Sequence, residues 1–188
     1  LADFDFDDAI RWSRFDPQRT LSPRTDRELL FVREEGLGGP PILLDTCVYI
    51  DQMQGRAPAI LERLIATRQT HHSTVAIQEL MHTVGVLNPA DSRTAAAISE
   101  IGRQIKAMRF HRVFAPEPDV LGRAALLSGI LCRLQGYAAD HRLRALQDCV
   151  LFLQAQKLGF TVLTANLGDF DYLLQLIPTS RVLFYRHT

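Results

Sequence analysis

Four acids stand where they could act together. Asp45 closes the apolar run "ILLD", Glu79 follows "STVAIQ", Asp148 sits inside "LRALQDCVLFLQAQKLG", and Asp169 ends the turn "TANLGD". Gathered in one place, such carboxylates repel one another and their pKa values rise unless a cation neutralises them. A hard divalent ion with oxygen ligands, Mg²⁺ or Mn²⁺, is the natural choice. Held by one or two carboxylates and otherwise hydrated, it binds a phosphate, lowers the pKa of a water and stabilises charge on a leaving oxygen. The reaction class is then phosphodiester hydrolysis. Each acid also has a plainer reading: Asp45 as the cap of the next helix, Glu79 as a solvated helix residue, Asp148 as the partner of Arg144 one turn earlier, and Asn166 to Asp169 as a turn with an N-cap. Asp148 presses hardest for a function, because an unpaired carboxylate among Leu146, Val150, Leu151 and Leu153 is costly to bury.

The elements that must position these acids alternate along the chain. From Ile42, "ILLD" reads as a buried strand and "APAILERLIATR" as a helix; "THHSTVA" is a second strand, leading into the helix "IQELMHTVGVL". A long helical region from Asp91 to Phe110 follows, then strand-like "RVFAP" and a helix through "DVLGRAALLSGILCRLQG". The end of the chain reads helix "LRALQDCVLFLQAQKLG", strand "FTVLTAN", helix "DFDYLLQLI" and strand "RVLFY". This is an α/β pattern, a mainly parallel sheet covered on both faces. In such sheets the ligand site lies beyond the carboxyl ends of the strands, which is where Asp45, Thr164, Asn166 and Asp169 fall.

At 188 residues and 47% hydrophobic content the chain suits one globular domain with an extension. Residues 1–40 differ from the rest, with nine acids and six arginines closed by "GLGGPP", leaving 12 acids against 15 lysines and arginines beyond. They are expected to form an N-terminal arm, with one helix from Ser22-Pro23 to about Glu35; the main domain would span 41–188. The net charge of zero permits a nucleic-acid partner without demanding one. No apolar run approaches the roughly 18 residues of a membrane span, and "LADFDFDDAI" is acidic where a secretory leader is basic. Cys47, Cys132 and Cys149 show no CxxC spacing, so the expected location is the reducing cytoplasm.

The motifs "LLDTCVYID", "STVAIQEL", "QDCVLFLQAQKLGFTVLTAN" and "TANLGDFD" together resemble the PIN-domain ribonucleases, most closely the VapC-type toxins of bacterial toxin–antitoxin systems, from Ile42 to Tyr185. The resemblance implies a PIN-like three-layer α/β/α fold with a five-stranded, mainly parallel sheet and metal-dependent endonuclease activity on RNA. Carried over by position, Asp45, Glu79, Asp148 and Asp169 would form the acidic metal site, with Thr46 and Asn166 orienting it. It also implies a homodimer and a small antitoxin partner. Two features depart from the family: Cys47 stands where relatives often carry Asn or Ser, and some 40 residues precede the first strand.

His71 and His72 are adjacent on a strand and point to opposite faces, which favours packing over a shared metal. Lys106, Arg109, Arg112, Arg142 and Arg144 either line a groove for RNA phosphates or form solvated helix faces. Two rivals to the nuclease remain at this level: a catalytically idle RNA-binding or assembly module, and an α/β phosphohydrolase acting on a small phosphoester.

Overall fold

The computed structural model describes residues 4–14 and 21–187. Five strands form one parallel sheet in the order β3-β2-β1-β4-β5: β1 (Ile42–Leu44), β2 (Thr70–Ser73), β3 (Val113–Phe114), β4 (Thr161–Thr164) and β5 (Val182–Phe184). A short helix α1 (Phe6–Ala9) precedes the sheet. Between strands run α2 (Thr46–Met53), α3 (Ala59–Thr67), α4 (Thr74–Val86), α5 (Thr94–Ala107), α6 (Pro118–Gln135), α7 (Ala139–Leu158) and α8 (Leu167–Leu176). Side chains alternate across the pleat. Leu43, Val162, Val182 and Phe184 pack against α6, α7 and α8. Ile42, Leu44, Leu163 and Leu183 meet α2, α3, α4 and α5 on the other face. Burial on both faces explains why the strands are near-continuous apolar runs, and the three layers match the expected architecture.

The two histidines separate as the pleat requires. His71 is buried and stacks on Phe160 with centroids 4.3 Å apart. His72 turns to Tyr49, whose hydroxyl lies 2.7 Å from Nδ1, and burial holds its pKa down at about 4.

The helix expected from Ser22 to about Glu35 is absent. Thr25 and Glu28 do form a capping box, but it starts only the single turn Asp26–Glu28, and a second turn spans Glu34–Gly36. Between them the chain is extended: Phe31 pairs in parallel with Phe184, Val32 N–H donates to Phe184 O at 2.8 Å, and Phe184 N–H donates to Leu30 O at 2.8 Å. The run Leu29 to Val32 has period two rather than 3.6, with Leu29 in the core and Leu30 in solvent, and the edge of β5 supplies the backbone partners that a helix would have found within itself. A flanking ion pair and a set of arginine-to-carbonyl hydrogen bonds hold this segment. Arg24 Nε donates to the buried Asp171 at 2.5 Å, and the Arg68 guanidinium reaches the carbonyls of Gly36, Leu37 and Gly38.

Candidate active site

Asp45 leaves β1 as the N-cap residue of α2, yet its side chain makes no capping bond. Its carboxylate instead accepts from Thr164 Oγ1 at 2.5 Å, at the end of the neighbouring β4, and from Cys47 Sγ at 3.0 Å. Glu79 comes from α4, and Thr46 Oγ1 donates a short hydrogen bond to its Oε2. Asp148 enters from the middle of α7, the helix that crosses to β4. Asn166 is the N-cap of α8 and does two jobs: its carbonyl oxygen accepts from Asp169 N–H at 3.3 Å, while its amide nitrogen donates to Asp148 and Asp169, each at 3.1 Å. One side chain thus caps α8 and ties Asp148 to Asp169.

Asp45, Glu79 and Asp148 line one cavity of about 600 Å³ beyond the carboxyl ends of the strands. Its depth shows in their electrostatics. Burial raises the pKa of Asp148 well above the usual carboxylate range, and the charges of Asp45, Asp169 and Glu79 raise it further. Burial also raises Asp45, against the bonds from Cys47 and Thr164. Glu79 is raised by burial, with Thr46 pulling the other way and Arg144 acting on it across the cavity. Arg144 therefore bears on Glu79 rather than serving only as the helical neighbour of Asp148.

Cys47 serves Asp45 as a hydrogen-bond donor. Burial, then the Asp45 charge, pushes the thiol well above its ordinary pKa, so it stays protonated and donates to Asp45 while Ala165 N–H donates to its sulfur at 3.3 Å. Iodoacetamide at pH 8 is expected to modify Cys47 at least about ten-fold more slowly than a free thiol, as mass spectrometry of its peptide would record. Modification at the free-thiol rate would contradict this environment.

Sequence reasoning missed two residues here. Tyr137, after α6, donates a short bond to Asp169, and nothing local to "QGYAAD" marks it. Asp51 also lines the cavity; its spacing of four from Cys47 on α2 was the available signal, since residues i and i+4 share a helix face. Of the five basic residues considered for RNA, Arg144 lines the cavity. Arg142 is two residues earlier on α7 and donates to Tyr137 O at 3.4 Å, whereas Lys106, Arg109 and Arg112 lie at the end of α5 and in the turn before β3, away from the cavity lining.

The donor chemistry fits a hard cation. Asp45, Glu79 and Asp148 offer carboxylate oxygens, and the hydrogen bonds that orient them come from hydroxyl, thiol and amide groups. Among the described residues, no group of three or more His, Cys, Asp or Glu side chains is placed to hold a metal ion by itself. Mg²⁺ and Mn²⁺ do not require that, because they keep several waters beside one or two carboxylates.

Compared by sequence, the chain matches no protein-family model and no curated protein. Its structure is similar to several solved structures: VapBC2 from Rickettsia felis bound to a DNA fragment from their promoter, at TM-score 0.53 and 13% identity, covers 77% of this chain and 98% of that one. DNA-bound VapBC from Salmonella typhimurium gives TM-score 0.53 and 18% identity over 77% and 97% of the two chains. FitAcB from Neisseria gonorrhoeae gives 0.52 and 17% over 77% and 96%. The chain has a PIN-like fold. At these identities the likeness speaks for the fold, and it is the PIN-like fold that delivers Asp45, Glu79 and Asp148 from three separate elements to one cavity. Among the described residues of this PIN-like chain, no helix is long and apolar enough to cross a membrane.

Proposed function

We propose that the chain is a metal-dependent endoribonuclease that hydrolyses RNA phosphodiester bonds, acting in the cytoplasm as the toxin of a toxin–antitoxin pair. The observation that carries the nuclease reading is the convergence of the buried Asp45 and Asp148 and the half-buried Glu79, held by neutral donors, on one open cavity at the strand ends. The toxin reading is supported by the shared fold with chains from VapBC and FitAcB assemblies. A small antitoxin and a second copy of this chain are the expected protein partners.

Asp45, Glu79 and Asp148 would hold Mg²⁺ or Mn²⁺, with Asp169 reinforcing Asp148 through the Asn166 amide. The bound ion supplies Lewis-acid polarisation of the phosphoryl oxygen and a water of lowered pKa. The chain's own residues do the rest. Thr46 fixes one oxygen of Glu79, Thr164 and Cys47 fix one oxygen of Asp45, and one of these carboxylates takes the proton of the attacking water.

Incubated with a mixed RNA pool, the protein is expected to cleave with Mn²⁺ or Mg²⁺ and not with EDTA, and Asp45→Asn to lose at least about 10²-fold in rate. Gel analysis of the products checks this. Binding without metal-stimulated cleavage would replace the nuclease with an idle RNA-binding module, and turnover confined to small phosphoesters would replace it with a phosphohydrolase.

A further inference from the structure

The cavity has a second wall of opposite chemistry. Asp51 is 1% exposed and already carries its full complement: Arg56 donates to Oδ1 from Nη2 at 2.8 Å and from Nε at 3.2 Å, Tyr185 OH donates to Oδ2 at 2.6 Å, and His187 Nδ1 lies 3.0 Å from Oδ2. The carboxylates of Asp45, Glu79 and Asp148 accept their hydrogen bonds from neutral donors. Asp51, in contrast, is a buried anchor around which positive charge and N–H donors are gathered. The side chains of Arg56 and His187 are 48% and 49% exposed, and both line the same cavity as Asp45, Glu79 and Asp148.

Two separate pieces of backbone are built to bring them there. Helix α2 ends in a Schellman turn: Gly55 takes a left-handed φ of 67°, its N–H donates to Gln52 O at 3.3 Å, and Arg56 N–H donates to Asp51 O at 2.9 Å. That turn folds Arg56 back over Asp51, and a side chain at Gly55 would strain it. His187 arrives from the far end of β5. The intervening Arg186 is fixed by Asp26, whose two oxygens each accept from Nη2 at 2.8 Å, and lies 5.4 Å from the Phe31 ring centroid. The N-terminal segment thereby sets the position of the residue that completes the wall.

We infer that Arg56 and His187, anchored on Asp51, form a phosphate subsite for the RNA strand, gripping a non-scissile phosphate while the scissile one lies at Asp45, Glu79 and Asp148. This rests on the nuclease reading for the position of the scissile phosphate, but the subsite itself needs only a polynucleotide. An arginine fork matches phosphate oxygens, and its carboxylate partner holds it in place beforehand, which reduces the ordering cost of binding. One cavity then offers contacts to two phosphates of the same strand, one at the carboxylates and one at Arg56 and His187.

The test is direct binding of a fluorescent single-stranded oligoribonucleotide, without metal, to Asp148→Asn protein and to the same protein carrying Arg56→Gln, Arg56→Lys or His187→Gln. Arg56→Gln is expected to weaken binding about ten-fold and to reduce the slope of log K against log salt by roughly 0.7, the value for one phosphate contact on a single strand. Arg56→Lys should regain the slope but not the full affinity, because it keeps the charge and loses the fork. His187→Gln, on an exposed side chain, should weaken binding about three-fold with the melting temperature unchanged, which separates recognition from folding. Unchanged affinity and slope in Arg56→Gln would overturn the subsite, as would an Asp148→Asn protein that binds no RNA. If these losses appear but the parent protein cleaves no RNA with Mn²⁺, the subsite stands and the nuclease reading falls.

Discussion

Asp148→Asn is expected to lower RNA cleavage by about 10³-fold or more while raising the melting temperature of the metal-free protein at neutral pH. The first effect follows from removing a buried carboxylate of the proposed cation site, one on which the charges of Asp45, Asp169 and Glu79 all bear. The second follows from linkage. Asp45, Glu79 and Asp148 have folded-state pKa values raised above their unfolded ones, so the stability they contribute is fully present below the ordinary carboxylate range and is lost as pH rises through the raised values. At neutral pH the unfolded chain ionises these groups freely, whereas in the folded protein burial and mutual repulsion disfavour the charged form, and that difference costs stability. Asparagine keeps the shape of Asp148, and its oxygen can still accept from the Asn166 amide, but it carries no charge. Relief of a buried charge without a cation partner is worth roughly 1–3 kcal/mol, and for a chain of this size each kcal/mol moves the melting temperature by about 2–4 °C. Calorimetry at pH 7.5 and pH 4 checks the sign: the gap should be open at the first and closed, or nearly so, at the second. Mn²⁺ should raise the melting temperature of the parent more than that of the variant. A variant less stable than the parent at pH 7.5 without metal would mean that Asp148 is already compensated.

The largest loss of stability is expected from Arg24→Ala, about 3 kcal/mol by urea unfolding. Asp171 on α8 is 2% exposed and is met by Arg24 twice, through Nε at 2.5 Å and the backbone N–H at 2.7 Å, with Gln175 adding a bond at 3.2 Å. Truncating Arg24 strands a buried carboxylate with hydrogen bonds but no counter-charge, and breaking one side of a buried pair costs far more than the pair contributes as a whole. Asp171→Asn should cost less, because the Arg24 side chain, 29% exposed, can turn to water. If Arg24→Ala and Asp171→Asn unfold at the same urea concentration as the parent, this pair does not anchor the N-terminal segment.

The carboxylate wall was legible because its members belong to local patterns. Asp45 interrupts an apolar run at a strand's end, Asp148 breaks an apolar helix, and Asn166 with Asp169 follows a strand, so each could be placed from neighbours a few residues away. What the local pattern left open was company. Asp51 looks like an ordinary helix acid until Tyr185 and His187 arrive from the other end of the chain, and Tyr137 gains its role only where the start of α7 passes the turn before α8. The segment from Leu29 to Val32 failed for the same reason. Its helix-compatible start at Ser22-Pro23 was local, whereas the strand partner that decided its conformation, Phe184, lies far along the chain. Among the basic residues, spacing alone could not tell Arg144, which lines the cavity, from Lys106, Arg109 and Arg112, which sit near the opposite edge of the sheet.

The pairing of Phe31 with Phe184 has a consequence for the behaviour of the protein in a crowded solution. A parallel sheet ends in two rows of backbone groups that can template the addition of a foreign strand and, by repetition, a fibre. On one side β3 is only two residues long, too short to recruit a stranger. On the other, β5 is part of the buried core, and its outer row is occupied by Leu30 and Val32 of the same chain. The N-terminal segment therefore works as a guard against self-propagating strand addition, and loosening it would uncover the apolar edge of β5.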